Sequence, residues 1–325
     1  RIEIVRGPGS VLYGSNAMHG IINIVSKGVG DASSSASMEA GSWGYLKFNA
    51  SGAFKDGNNG FRVTGSVMHD GGYIEESGLN QQKGMLRHEY DDGNWEITTN
   101  FMVTNLDQET AGYLVGLDSY KDPALAKTNA NPEAYRKAKS FRYWSTISKD
   151  ITDNVRWQFS PYVRSLDMEF LMHFLPGAPL EENEQKSAGF QNGFYINEGS
   201  NFEIIAGFDG EMAKGELKQT QANAITGSAF LAGTIPAGKQ YDYEVNTKLI
   251  AGFVRADFDV NDQLSVIGGV RAEHMKYDYN NRMNSGRVDE NGDTCGFGGC
   301  RYTRPGDRED SFNNVSFEAG LLFKI

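Results

Sequence analysis

Alternation with a period of two runs from about Ser33 to the end of this chain, and it restricts the fold more than any other feature. Leu46, Phe48, Ala50 and Phe54 interleave with Lys47, Asn49, Ser51 and Lys55, and Phe61, Val63, Gly65 and Val67 with Arg62, Thr64 and Ser66. The pattern returns from Trp95 to Val103, from Val155 to Val163 and from Val315 to Ile325. Successive side chains of a strand point to opposite faces, so each run predicts a strand with one apolar and one polar face. About twelve strands can be placed, near 33–41, 45–55, 61–69, 82–90, 95–104, 140–149, 155–166, 187–196, 202–213, 247–258, 264–277 and 312–325. Many reach roughly ten residues, the length that crosses a bilayer at a tilt. Pro161, which has no N–H for the ladder, predicts a bulge in its strand.

The connections alternate in length as strictly as the side chains alternate in polarity. Short turns are expected at Asp56 to Gly60, Asp91 to Asn94, Asp150 to Asn154, Asn197 to Asn201 and Val260 to Gln263. Between them lie long polar segments, Asp70 to Asn80, Asn105 to Ala138, Asp167 to Lys186, Lys214 to Asn246 and Asp278 to Asp310. One rim trimmed and the other elaborated is the arrangement of an outer-membrane barrel, not of a β-sandwich. In lipid every backbone amide must be paired, so a spanning sheet has to close on itself.

Composition agrees once the alternation is recognised. A mean hydropathy of -0.48 has the look of a soluble protein, but lipid-facing and lumen-facing residues cancel in such an average. No stretch approaches 18 consecutive apolar residues, so no transmembrane helix is expected. The net charge of -11 argues against a nucleic-acid partner. Cys295 and Cys300, in CGFGGC, can close a small loop disulfide in an oxidising compartment. The competing reading, a thiol pair for metal or redox work, lacks a Cys-x-x-Cys spacing and a nearby His. Catalysis finds no support, since neither His-Glu-x-x-His nor Gly-x-Ser-x-Gly occurs and no acid–base pair stands out. No metal centre or cofactor is expected.

The first 27 residues are of a different kind: two short apolar strands, Ile2 to Val5 and Ile21 to Val25, joined by a connection containing Gly7, Pro8, Gly9, Gly14 and Gly20. Arg6-Gly7-Pro8, then Leu12-Tyr13-Gly14-Ser15, then Gly20-Ile21-Ile22-Asn23-Ile24-Val25 with Lys27, resembles the C-terminal end of the plug of TonB-dependent outer-membrane receptors. His19 departs from that pattern, where the family usually has a small residue. The resemblance implies a plug end over residues 1–30, with motif residues Arg6, Gly7, Pro8, Tyr13, Gly14, Gly20 and Asn23. Residues 31–325 would then be the N-terminal part of an antiparallel transmembrane β-barrel. Plugged transporters have barrels of about 22 strands, so about twelve strands make an incomplete wall and the chain reads as an internal fragment. With no signal peptide visible, the N-terminus is taken to be missing rather than cytoplasmic.

The function implied is energised uptake of a scarce nutrient across the bacterial outer membrane, with TonB as partner through a region upstream of Arg1. A ferric siderophore leads because it is the family's commonest substrate; cobalamin, heme, thiamin or a glycan stay open, and a monomer surrounded by outer-membrane lipid is expected. A non-energised porin or adhesin is the rival, and a porin has no plug. Ligand contacts are sought in the long loops, at Tyr113, Tyr120, Phe170 and His173, since aromatics with a few polar partners suit a bulky ligand. Packing of the loops themselves is the alternative for each, and the acidic run Glu181, Glu182 and Glu184 reads as a solvated loop. Charges on the polar strand faces, among them Arg62, Glu96, Arg156, Arg164, Glu203, Asp209, Glu211, Arg255, Asp257, Arg271, Glu273 and Glu318, are expected to line a wet or plugged lumen. Arg6 and Glu3 are expected to be the partners of these lumen charges, Arg6 pairing with one of the carboxylates.

Overall fold

A computed structural model of the chain describes residues 1–6, 9–14, 17, 19–30 and 33–323. Strands β1 (Ile2–Arg6) and β2 (Gly20–Ile24) pair antiparallel, with the one-turn helix α1 (Ser10–Tyr13) between them. Gly20, opposite Arg6, has φ +149°, and a Cβ there would lie 2.7 Å from the Val5 carbonyl oxygen, so only glycine fits that corner.

The rest is one sheet. Its first half consists of β3 (Ser35–Ala40), β4 (Leu46–Asp56), β5 (Asn59–Asp70), β6 (Leu79–Asp91), β7 (Trp95–Glu109) and β8 (Tyr135–Thr152). Its second half consists of β9 (Val155–Leu171), β10 (Leu180–Ile196), β11 (Phe202–Gln221), β12 (Gly238–Asp259), β13 (Leu264–Asn281) and β14 (Arg308–Phe323). Each of these 12 strands pairs antiparallel with its sequence neighbours, and the outermost, β3 and β14, do not pair with each other. The sheet is therefore an open meander, with all twelve expected strands in place.

The strands run further than the hydrophobic pattern indicates. β12 has 22 residues, an extended length of about 70 Å, against an apolar belt about 25 Å tall in such walls. The extra length lies on the long-loop side, where β10 begins at Leu180 and β11 continues to Gln221. Phe170 accordingly belongs to β9, and Glu181, Glu182 and Glu184 belong to β10; neither is in a loop as expected. Beyond the belt the outer face meets water too, so the polarity pattern fades in β10 and changes phase in β9 and β12, where Met168, Phe170, Tyr241 and Tyr243 lie on the inner face, while the backbone ladder goes on. Glu182 faces Lys218 across that ladder and pairs with it at 2.6 Å.

Pro161 causes no bulge. The β9–β10 register runs through Pro161 opposite Phe190, and the ladder to β8 omits two pairs between Trp144–Tyr162 and Ile147–Phe159 without a shift; its register shift lies away from Pro161, at Asp150/Thr152. The missing donor interrupts the ladder locally and adds no residue.

Antiparallel partners share a face, so the register sorts every side chain. Phe48, Trp157 and Phe317 fall on one face of the single sheet, with Phe48 45% and Phe317 81% exposed. Among the described residues no second sheet lies over them. Near the short turns this outer face carries aromatics, with Phe54 stacked on Phe61 (5.2 Å) and Trp95 edge-on to Trp157 (6.3 Å). Aromatic girdles of this kind mark a membrane interface. The last residues of the expected final strand, Lys324 and Ile325, lie outside the described residues.

The loop from 282 to 307 is folded rather than structureless. Arg304, 1% exposed, donates to the carbonyls of Asn284 (2.7 Å), Gln240 (2.9 Å), Val288 (2.7 Å) and Asp289 (2.7 Å). Cys295 and Cys300 are bonded (Cα–Cα 4.8 Å), Arg287 Nε donates to the Cys300 carbonyl, and burial pushes the nearby Tyr302 phenol up. The Gly296 N–H reaches the Gly233 carbonyl, tying this loop to α2 (Ala229–Thr234) in the loop before β12. Removing the guanidinium strands four carbonyls, so Arg304→Ala is expected to speed amide exchange across 284–304 by about tenfold or more. Unchanged exchange there would mean the loop is held by other contacts.

Candidate functional site

The N-terminal segment sits on one face of the sheet, and that contact defines the site. Arg87 of β6 donates from Nη1 to Ser26 Oγ (3.0 Å) and from Nε to Glu89 (2.6 Å), whose other oxygen accepts the Val29 N–H at 3.1 Å. Seven strands away, Val11 of α1 is 1% exposed above Gly269 of β13, where an added Cβ would lie 3.0 Å from Val11 Cγ1. Gly14 lies over the Arg271 guanidinium, its notional Cβ 3.6 Å from Nη2. Tyr13, 57% exposed, lines a cavity of about 210 Å³ with Gln158, Asn192 and Tyr195 of the wall.

Following the register from Arg87 through Asn100, Trp144, Tyr162, Gly189 and Glu211 identifies this inner face across the sheet. The twelve charges expected to line a lumen all fall on it. They pair largely with one another along the wall: Arg156 with Glu96, Arg164 with Glu211 (2.7 Å), Arg255 with Asp257 (3.1 Å), and Arg271 with both Asp209 (2.7 Å) and Glu273 (3.1 Å). The last three are buried, with side chains 3%, 9% and 6% exposed, directly beneath α1.

Arg6 does not take the expected role. It is exposed at the end of β1, and no ion pair reaches it among the described residues. Glu3 is occupied within its own hairpin by Arg1 and by Asn23 Nδ2 (2.7 Å). The segment is held instead through Arg87, Glu89 and the wall beneath α1, contacts that depend on folding and carry no motif. The motif residues Gly7 and Pro8, like Ser15 of the same run, lie outside the described residues.

Of the four aromatic ligand candidates, Phe170 and His173 come together on Phe174, at 5.8 and 5.9 Å between ring centroids. Tyr113 and Tyr120 are 82% and 67% exposed in the loop from 110 to 134. Phe170 is buried in β9 with the Arg136 guanidinium 4.3 Å above its ring, and His173 in the following turn meets Phe174 edge-on. Among the described residues no group of three or more His, Cys, Asp or Glu could hold a metal ion.

No protein-family model matches the chain. Solved structures do. The open form of the ferric-catecholate import receptor Fiu from E. coli K12 superposes with a TM-score of 0.75 at 14% identity, over 99% of this chain and 57% of that one. The siderophore receptor PiuA from Acinetobacter baumannii gives 0.73 at 13% identity, over 99% and 52%. The copper transporter OprC gives 0.70 at 13%, over 100% and 48%. The chain thus spans about half the length of the structures it resembles. It has the fold of the TonB-dependent outer-membrane receptors to which its N-terminal run is similar.

Proposed function

We propose that this chain is the part of a TonB-dependent receptor running from the end of the plug, residues 1–30, through the N-terminal part of the barrel, residues 31–325. The whole receptor takes up a scarce nutrient across the bacterial outer membrane, with a ferric siderophore as the leading substrate. The observation that carries this reading is the N-terminal segment seated on the inner face of a wall whose outer face is apolar. A porin or adhesin has no use for such a segment. Fiu and PiuA support an iron chelate, while OprC is a reminder that the same wall serves another metal; cobalamin, heme, thiamin or a glycan are the remaining alternatives. TonB, acting on the region upstream of Arg1, supplies the energy, and the receptor works as a monomer in outer-membrane lipid.

The test is growth. The full-length receptor, expressed in a strain stripped of its own ferric receptors, is expected to restore growth on at least one ferric siderophore, and only when TonB is present. Rescue without TonB indicates a passive pore. Failure on every iron chelate removes the substrate class.

A further inference from the structure

We infer that the inner wall carries an anion-binding subsite built on Arg142 and Arg164, so that the nutrient is taken up as an anion. This rests on the uptake reading above and narrows it to a charge class. Arg142 on β8 and Arg164 on β9 are direct cross-strand partners on the inner face. Like charges placed opposite each other across a ladder repel and destabilise the pair. Among the described residues the wall relieves Arg164 alone. Glu211 takes Arg164 Nη2 on one oxygen (2.7 Å) and the Tyr162 hydroxyl on the other, and Arg164 Nε donates to Ser187 Oγ (2.6 Å). Among the described residues no carboxylate pairs with Arg142.

A third cation joins them. Lys83 of β6 is exposed on the same face and lies in register, through Thr104, with Ser140, two residues from Arg142; no ion pair reaches it among the described residues. Three cations against one carboxylate run counter to a chain whose net charge is -11. Arg142 and Arg164 open onto a cavity of about 420 Å³ whose other polar walls include Ser140, Ser187 and Thr247. Small hydroxyl side chains leave room for a ligand and can donate to it. The site lies well above the N-terminal segment: Arg164 is six residues further along β9 than Gln158, which meets the Tyr13 cavity, a rise of roughly 20 Å toward the long loops.

A guanidinium fork matches paired oxygens such as those of a carboxylate or catecholate, and its bonds to them are charge-assisted. Arg142, free of a wall partner, supplies the main contact; Arg164, fixed by Ser187 and Glu211, supplies a second N–H direction and the field. An uncharged ligand would leave the repulsion in place. A cationic one would add to it.

The experiment uses the full-length receptor in outer-membrane vesicles, with heat-modifiable gel migration to confirm that each variant folds. Two probes are compared, a strongly anionic tris-catecholate chelate of ferric iron and an uncharged tris-hydroxamate chelate. The parent is expected to bind the anionic chelate more tightly, with affinity falling as salt rises. Arg142→Gln is expected to weaken that binding by about tenfold or more and Arg142→Lys to recover part of it, neither changing the hydroxamate. Equal preference for the two chelates, or an Arg142→Gln receptor with undiminished catecholate affinity, overturns the subsite while leaving uptake intact. A parent receptor that binds neither chelate and supports growth on no ferric siderophore overturns the iron-uptake reading and the subsite with it.

Discussion

Arginine in place of Val254 is expected to cost the assembled wall about 2–4 kcal/mol, the range for a cation on a barrel's lipid face near mid-membrane. Val254 lies in the apolar part of the outer face, five residues from the short-turn end of β12, in a row of cross-strand partners that leaves the aromatic girdle at Trp157 and continues through Phe194, Ala206, Val254, Val270 and Phe317. It is 42% exposed. At an exposed site on a water-soluble protein this change stays within about 0.5 kcal/mol, so the two solvents predict different results for one residue. Depth supplies the control. Asn246 lies on the same face of the same strand, eight residues nearer the long loops, beside the Lys214–Glu244 pair (3.0 Å). Asn246→Arg should cost no more than about 1 kcal/mol, as at an interface. Unfolding of the full-length receptor from lipid vesicles in urea measures both. Equal costs at the two depths would remove the bilayer from the account.

The second large effect comes from the wall beneath α1. Arg271→Met leaves Asp209 and Glu273 buried with no cation between them, a loss of about 3–5 kcal/mol when one partner of a buried ionic group is removed. The cost belongs to the stranded charges more than to the bonds, because Asp209 Oδ1 already has no partner among the described residues. Combining Arg271→Met with Asp209→Asn and Glu273→Gln should therefore recover most of the loss. Since Gly14 and Val11 rest on this patch, the single variant should also expose the segment from residue 9 to 17 to protease in the folded receptor. A variant as stable as the parent, with the segment still protected, would show that the triad neither holds the wall nor seats α1.

The alternation makes the wall legible in the sequence, because polarity and geometry repeat with the same period wherever one face meets lipid and the other meets water. It failed where that contrast ends. From Glu181 to Lys186 and from Lys214 to Gln221 both faces are polar, so a paired strand has the composition of a loop. Phe170 differs: Leu166, Met168 and Phe170 still alternate with Asp167 and Glu169, but their apolar side chains lie on the inner face, opposite in phase to Phe159 and Val163 earlier in β9. The site was less legible. The inner-face charges could be named from parity, but their pairing depends on which strands become neighbours and by what register. Arg142 illustrates this, since its partner Arg164 is identified only by the β8–β9 ladder. Arg304 gives no signal at all: an arginine among glycines and acids reads as solvated until the carbonyls that surround it are brought together from residues 240 to 289. Charge and motif point to Arg6 as the anchor, whereas among the described residues the contacts that hold the segment at β6 run through Arg87 and Glu89.

The central claim is that one face of the sheet meets lipid and the other does not. Nitroxide labels placed singly at positions 249 through 258 of β12 in the full-length receptor, reconstituted in vesicles, test it most directly. Even positions, which share the face of Val254, should be relaxed by oxygen dissolved in the bilayer. Odd positions should respond to a water-soluble nickel complex or to neither. A period-two profile is the predicted result; uniform access of the nickel complex to both sets, or an absence of alternation, would contradict it.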